Sequence, residues 1–127
     1  MPDKKILIIE DEPFIVTLLA DHLKKAGLIL DLAQDAETGL EKTRAQHPDL
    51  VLLDLILPGM TGFDFLEKKR LEDSIANIPV LVLSNLGQKD EVDRARALGA
   101  VDFMVKAHFD LEEITTKVVG LLGGTTA

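Results

Sequence analysis

The chain lacks cysteine, tryptophan and tyrosine, and it is poor in positive charge. Without cysteine, neither a disulfide framework nor a thiolate metal site can form, which fits a reducing compartment. Lys and Arg number 14 against 22 Asp and Glu, which gives a net charge of -8. Because phosphate contacts need clustered Lys and Arg, this composition argues against direct binding of nucleic acid.

Long apolar runs are also missing. No stretch approaches the roughly 18 residues that a membrane span needs, and the first five residues are too short and polar for a signal peptide. We therefore predict a cytoplasmic protein without membrane contact. Its 127 residues, 46% hydrophobic, fit a single globular domain. We expect a domain over residues 1–122 and a flexible tail or linker start over 123–127, either stand-alone or part of a longer protein.

Five short apolar runs, most of them rich in Ile, Val and Leu, recur along the chain. Such runs, bounded by turn formers or charge, are typical of strands buried on both faces. They are KILIIE (5–10), LILDLA (28–33), DLVLLD (49–54), PVLVLS (79–84) and VDFMVK (101–106).

Helical patterns separate these runs. Gly27 and Gly99 close two of the helices, and Asp35 and Asp110 are predicted to cap two others, with Glu113 placed as in a capping box. The predicted helices cover approximately 13–26, 35–46, 62–72, 88–98 and 111–122. Five strand-and-helix repeats predict an α/β fold with a parallel sheet covered by helices on both faces.

Polar side chains stand where the apolar runs end. In open parallel sheets, ligands bind at the carboxyl ends of the strands, so these side chains are expected to converge. Glu10 ends the first run and Asp11 follows it, Asp54 ends the third, Ser84 ends the fourth and Asn85 follows it, and Lys106 ends the fifth.

This set of groups favours a hard cation and phosphoryl chemistry. Three neighbouring carboxylates raise one another's pKa unless a cation intervenes, and oxygen ligands select Mg²⁺ or another hard divalent cation. Lys106 suits a phosphate oxygen, and the Ser84 hydroxyl can donate a hydrogen bond to one. Asp54 lies in an almost wholly apolar segment. A carboxylate can form an aspartyl phosphate, and Asp54 is the best candidate nucleophile because it ends the middle strand, framed by the other groups.

From Lys4 to about Leu122 the sequence resembles the receiver domains of two-component response regulators, including the chemotaxis regulators. The resemblance rests on the acidic pair Glu10-Asp11, on Asp54 followed by LPGMTG (57–62), and on Ser84 and Lys106 in that order. It implies a flavodoxin-like fold, with a doubly wound sheet of five parallel strands in the order 2-1-3-4-5 and five helices.

The resemblance also implies a role for each site residue. Asp54 would be the phosphoacceptor, with Lys106 and Ser84 on the phosphoryl group, and Ser84 would act in the switch together with Phe103. The metal ligands would be Glu10, Asp11, Asp54 and the backbone carbonyl of Ile56.

The function that the resemblance implies is a signalling switch with Mg²⁺ as cofactor. A histidine kinase or a histidine phosphotransfer protein would supply the phosphoryl group. The fourth helix, fifth strand and fifth helix would signal to an effector whose identity the sequence does not give. The sequence leaves open whether the chain forms a homodimer on phosphorylation. The chain would not be an enzyme for external substrates, because it would catalyse only its own phosphorylation and dephosphorylation.

Three departures from the family pattern keep alternatives open. Ala107 replaces the usual proline after Lys106, Asn85 replaces a small residue, and Phe103 lacks a hydroxyl. The first two favour an interaction module without phosphoryl chemistry. A phosphatase is a weaker alternative, since Ile56 stands where a second acid would be expected.

The site residues also have simpler interpretations. Glu10-Asp11 could cap the first helix, and Ser84-Asn85 could be ordinary turn residues. Lys106 could be a surface lysine, or a structural partner of one carboxylate. Ile56 and Leu86 border the expected approach of a hydrolytic water, and neither can orient it. We therefore expect any acyl phosphate on this chain to be long-lived.

Overall fold

A computed structural model describes residues 4–85, 88–106 and 110–123. It contains five strands and five helices that alternate along the chain. The strands are β1 (Lys5–Ile9), β2 (Ile29–Ala33), β3 (Leu50–Leu53), β4 (Val80–Ser84) and β5 (Asp102–Val105). The helices are α1 (Pro13–Lys25), α2 (Ala36–Gln46), α3 (Gly62–Arg70), α4 (Lys89–Ala97) and α5 (Leu111–Leu121).

All five strands join one parallel sheet in the order β2-β1-β3-β4-β5. β3 and β4 are buried along their whole length, and β1 from its second residue onward, because helices cover both faces of the sheet. The predicted fold class and strand order are therefore confirmed. The strands at the two edges, β2 and β5, are only partly buried.

The sheet divides the apolar core into two layers. On one face Leu40 of α2, Phe65 of α3 and Ala95 of α4 pack with the strands. On the other face Leu23 of α1 and Val118 of α5 do so. Every helix thus runs back over the sheet, and every strand points its carboxyl end to the same edge.

Helix ends follow local rules, with two differences from the prediction. Asp35 and Asp110 cap α2 and α5 as predicted, and the reciprocal capping box forms at α3, between Thr61 and Asp64. The last turn of α3 tightens, because the Leu71 amide bonds the Lys68 carbonyl three residues back, and the helix therefore ends at Arg70. No helix in the described part of the chain is long and apolar enough to cross a membrane.

Candidate functional site

The register of the central strands brings Glu10 and Asp54 together. Ile9 of β1 stands opposite Leu53 of β3, so the next residue of each strand reaches the carboxyl edge side by side. The ladder continues into the site, since the Asp54 amide donates to the Ile9 carbonyl at 3.0 Å. The Glu10 amide likewise donates to the Ala33 carbonyl at 3.0 Å. The backbone of both acids is therefore fixed by the sheet.

Three carboxylates meet at this edge. Glu10, Asp11 and Asp54 each offer an oxygen, and these oxygens lie within 4.8 Å of one another. Glu10 and Asp54 are buried, with 4% and 6% of their surface exposed, whereas Asp11 lies on the rim. An all-oxygen donor set of this size, open on one side, fits a hard divalent cation that keeps part of its water shell.

Lys106 closes the cluster from the other side. It directly follows β5, is buried, and pairs its ammonium group with the Glu10 carboxylate and with Asp54 Oδ2, the latter at 3.2 Å. The other Asp54 oxygen, Oδ1, accepts a bond from the Ile56 amide at 3.3 Å. The predicted meeting of Glu10, Asp11, Asp54 and Lys106 is thus observed.

The electrostatics of the cluster follow from burial. Burial raises the pKa of Glu10 to about 7, helped by the negative charge of Asp54 and opposed by Lys106 and the Glu12 amide. Burial by itself would lower the pKa of Lys106. The bonds and charges of Glu10 and Asp54 outweigh it, so the Lys106 pKa is raised. Lys106 therefore stays charged, and its one ammonium pairs with two of the three clustered carboxyl groups.

Gly62 makes the backbone around Asp54 sterically possible. Its amide donates to the Leu55 carbonyl at 2.9 Å, which folds the loop after β3 back onto α3. A Cβ at this position would lie 2.5 Å from the Asp54 carbonyl oxygen and 2.7 Å from the Leu55 Cα. Both are backbone atoms, so a side chain here would displace the segment that carries Asp54.

The remaining predicted residues lie around this centre. Ser84 is fully buried at the end of β4, and Asn85 after it is exposed. Phe103 on β5 is partly buried against the core on the α4 side of the sheet. The Ile56 side chain is 57% exposed beside Asp54, and the role of its carbonyl as a ligand stays a prediction. Ala107, Leu86 and tail residues 124–127 lie outside the described residues.

Helix capping does not account for the acidic pair. The residue that caps α1 is Glu12, and its side chain makes no capping bond. Glu10 Oε2 instead accepts the amides of Asp11 and Glu12, at 3.0 and 3.2 Å, which holds its carboxylate at the cluster. The capping box that fixes the start of α3 was not predicted, although the spacing of Thr61 and Asp64 signals it.

Comparison with known proteins assigns the chain to a family. Residues 6–119 match the response regulator receiver domain, and the chain belongs to that family. Receiver domains are switches of two-component phosphorelay signalling, not enzymes in the usual sense. They interact with histidine kinases or phosphotransferases and bind Mg²⁺ at an acidic pocket.

Relatives of known identity include transcription regulators and a phosphotransferase. The chain is 38% identical to the DNA-binding dual master transcriptional regulator RpaA of Synechocystis over 121 residues, which is 95% of this chain and 50% of RpaA. It is 34% identical to sporulation initiation phosphotransferase F of Bacillus subtilis, covering 93% of both proteins. The chain thus spans about half the length of several of the regulators that it resembles.

Solved structures share the fold. The chemotaxis regulator CheY4 of Vibrio cholerae matches with a TM-score of 0.86 and 25% identity, covering 93% of this chain and 98% of CheY4. The Mn²⁺-bound response regulator Rcp1 matches with a TM-score of 0.79 and 26% identity, covering 93% of this chain and 91% of Rcp1.

Proposed function

We propose that this chain is a phosphorylatable switch in which Asp54 accepts a phosphoryl group from a histidine kinase or a histidine phosphotransfer protein. The observation that carries the proposal is the buried Asp54 carboxylate, held by Lys106 at 3.2 Å beside Glu10 and Asp11. A relative that covers the same length, sporulation initiation phosphotransferase F, supports it by its name.

The proposed reaction needs few protein groups. An Asp54 oxygen attacks phosphorus in line, the oxygen–phosphorus bond forms as the bond to the donor histidine nitrogen breaks, and the electron pair leaves with the imidazole. Lys106 has one ammonium to offer the equatorial oxygens of the transferred group, and Ser84 donates a hydrogen bond to one of them.

Divalent metal belongs to the same proposal. Glu10, Asp11 and Asp54, with the Ile56 carbonyl, would hold Mg²⁺, and bound Mg²⁺ would offset negative charge on the transferring group. The donor set supports this, since it consists of oxygens within 4.8 Å of one another. The Mn²⁺ of the similar regulator Rcp1 points the same way.

The same proposal extends to how the signal leaves the domain. Ser84 moves towards the phosphoryl group, Phe103 packs into the space released, and α4, β5 and α5 present the changed surface to an effector. Phe103 is partly buried against the core that includes Ala95 of α4, which supports a role for it in changing that surface. A receiver domain over residues 1–122, a tail over 123–127 and cytoplasmic location complete the proposal.

Intact mass tests the phosphoacceptor. After incubation with acetyl phosphate and Mg²⁺, the wild type is expected to gain about 80 Da, the mass of one phosphoryl group. Asp54→Asn is expected to gain nothing. Asp49→Asn is the matched control, because Asp49 lies at the opposite end of the same strand, where it accepts the Lys5 amide. An unmodified wild type would favour the interaction module, and phosphate mapped to another residue would refute the assignment of Asp54.

The lifetime of the acyl phosphate is a second outcome to measure. The exposed Ile56 side chain offers no polar group that could orient a water in line with the phosphorus. We expect decay over minutes or longer once the donor is removed, and faster decay in Ile56→Asn. Loss of the wild-type phosphate within seconds, or no acceleration in the Asn variant, would contradict this expectation.

A further inference from the structure

Asp102 is a carboxylate with partners in three separate elements. It opens β5, and its Oδ1 accepts the Phe103 amide at 2.8 Å and the Arg96 guanidinium of α4 at 3.2 Å. Its Oδ2 pairs with Lys117 of α5 at 2.8 Å. One carboxylate therefore contacts the backbone of the proposed switch residue and a side chain from each neighbouring helix.

The position of Asp102 at the edge of the sheet makes these contacts with both helices possible. α4 and α5 pack on opposite faces of the sheet, so they belong to different core layers. β5 is the last strand of the sheet, which lets Arg96 and Lys117 reach the same carboxylate from the two sides. α4 has one fully buried residue, Ala95, so its polar contacts weigh heavily in setting its position.

The contacts favour the ionised form of Asp102. Burial by itself would raise the pKa of Asp102. The hydrogen bonds from Lys117 and the Phe103 amide, with the charges of Lys117 and Arg96, outweigh it and lower the pKa. Single exposed ion pairs stabilise little, but several charges around one carboxylate act as a network.

We propose that Asp102 is a positioning residue that couples Phe103 to both α4 and α5, so that one change at Phe103 reaches helices on both faces of the sheet. The inference rests on the proposed function and adds to it the residue that links the switch to its two helices. Because the Phe103 amide donates to the carboxylate that both helices hold, the β5 backbone cannot shift there without disturbing Arg96 and Lys117.

Asp31 provides a matched control at the other edge of the sheet. On β2 its Oδ1 accepts the Leu32 amide at 2.8 Å and pairs with Lys42 at 2.9 Å, and its Oδ2 accepts from Gln46 at 2.8 Å. The local pattern is that of Asp102, but both side-chain partners belong to α2. Asp31 therefore tests the loss of an edge-strand carboxylate that joins only one helix.

Hydrogen exchange measured by mass spectrometry, with and without acetyl phosphate and Mg²⁺, tests the inference. In the wild type, phosphorylation is expected to change exchange in both α4 and α5. In Asp102→Asn with the same mass gain, that change is expected to fall by about fivefold or more, as for loss of a typical coupling between sites. Asp31→Asn is expected to respond as the wild type does.

Two further variants separate coupling from a structural role and keep the test decisive if Asp102→Asn folds poorly. Arg96→Met is expected to lose the response of α4 alone, and Lys117→Met that of α5 alone. Full responses in phosphorylated Asp102→Asn, or in both Met variants, would overturn the inference and leave the proposed function intact. The same loss in Asp31→Asn would also overturn it. A wild type that gains no mass would overturn the proposed function and the inference together.

Discussion

At the scale of single residues, the site depends on what the chain places around one carboxylate. Asp54 is held through its own backbone amide, through Lys106 and through the Ile56 amide. Gly62 contributes by having no side chain, since its Cα lies against the Asp54 backbone. Small changes beside Asp54 are therefore expected to affect both stability and phosphorylation.

Substituting Gly62 by Ala tests this dependence. The added Cβ would lie 2.5 Å from the Asp54 carbonyl oxygen, so the backbone must move. We expect the free energy of unfolding to fall by about 1–3 kcal/mol, as for overpacking, with slower phosphorylation. The control is Gly120→Ala on α5, where a Cβ meets nothing within 4 Å. It is expected to stabilise by about 0.5–1 kcal/mol in chemical denaturation. Equal denaturation midpoints for Gly62→Ala and wild type would contradict the packing argument.

Lys69 predicts a pH dependence of stability. Burial lowers the pKa of this lysine, whose ammonium donates to the Ala76 carbonyl at 3.0 Å. In the unfolded chain Lys69 keeps its proton up to about pH 10.4, whereas the folded protein loses it at a lower pH. Between these two pKa values the free energy of unfolding therefore rises with pH. The stability of the wild type relative to Lys69→Met is therefore expected to rise as the pH rises from the lowered pKa towards about 10.4.

Urea unfolding across that pH interval measures the effect of Lys69. Lys68→Met, an exposed lysine in the same helical turn, controls for the loss of one surface charge. A stability of the wild type relative to Lys69→Met that falls with rising pH would show that the sign of the Lys69 pKa shift is wrong.

At the scale of elements, helix ends carry most of the local information in the sequence. Asp35, Asp110 and the Thr61–Asp64 box begin their helices as local rules require. The end of α2 is the exception. His47 caps it in the left-handed conformation, with φ 48°, where glycine is the usual residue.

Replacing His47 by Gly is therefore expected to stabilise the fold. The left-handed conformation costs a residue with a Cβ about 1–2 kcal/mol, partly offset by the greater backbone freedom of glycine in the unfolded chain. A net gain of about 0.5–1 kcal/mol in the free energy of unfolding is expected. Ala26→Gly at the end of α1, where φ is -83°, is the control and is expected to destabilise. Destabilisation by both substitutions would refute the strain at His47.

At the scale of the whole molecule, the fold concentrates negative charge at the site. In a parallel α/β sheet every helix begins at the carboxyl edge of the strands. The acids of the helical first turns lie there, including Glu37 of α2, Asp64 of α3 and Glu112 of α5. Together with Glu10, Asp11 and Asp54, they make this edge strongly acidic in a chain of net charge -8. A bound divalent cation is expected to stabilise the whole domain.

Thermal unfolding tests this stabilisation. MgCl₂ is expected to raise Tm above the value in NaCl of equal ionic strength, with about 2.7 kcal/mol of added stability at 100 times Kd. Asp11→Ala is expected to lose most of this increase. Without divalent cations it is expected to melt at or above the wild-type temperature, because one of three clustered carboxylates is gone. Asp49→Ala, away from the cluster, is the control. An undiminished response to Mg²⁺ in Asp11→Ala would exclude Asp11 as a ligand.

The order of the elements and the chemistry available to the site could be predicted from the sequence. Apolar runs and helix caps are local signals, so they could be recognised without the fold. The acids at the ends of the first and third runs, with Lys106 at the end of the fifth, follow from one rule about parallel sheets. The motif around Asp54 then identified the family, which the match over residues 6–119 confirms.

Which of these groups are in contact depends on the packing of distant parts of the chain. Lys106 pairs with Glu10 and Asp54 because the strand register brings their strand ends together in a buried site. No local pattern in the sequence encodes a register between distant strands. The contacts of Asp102 with α4 and α5 were not predicted for the same reason. Its partners come from helices on opposite faces of the sheet, and they meet only because β5 is an edge strand.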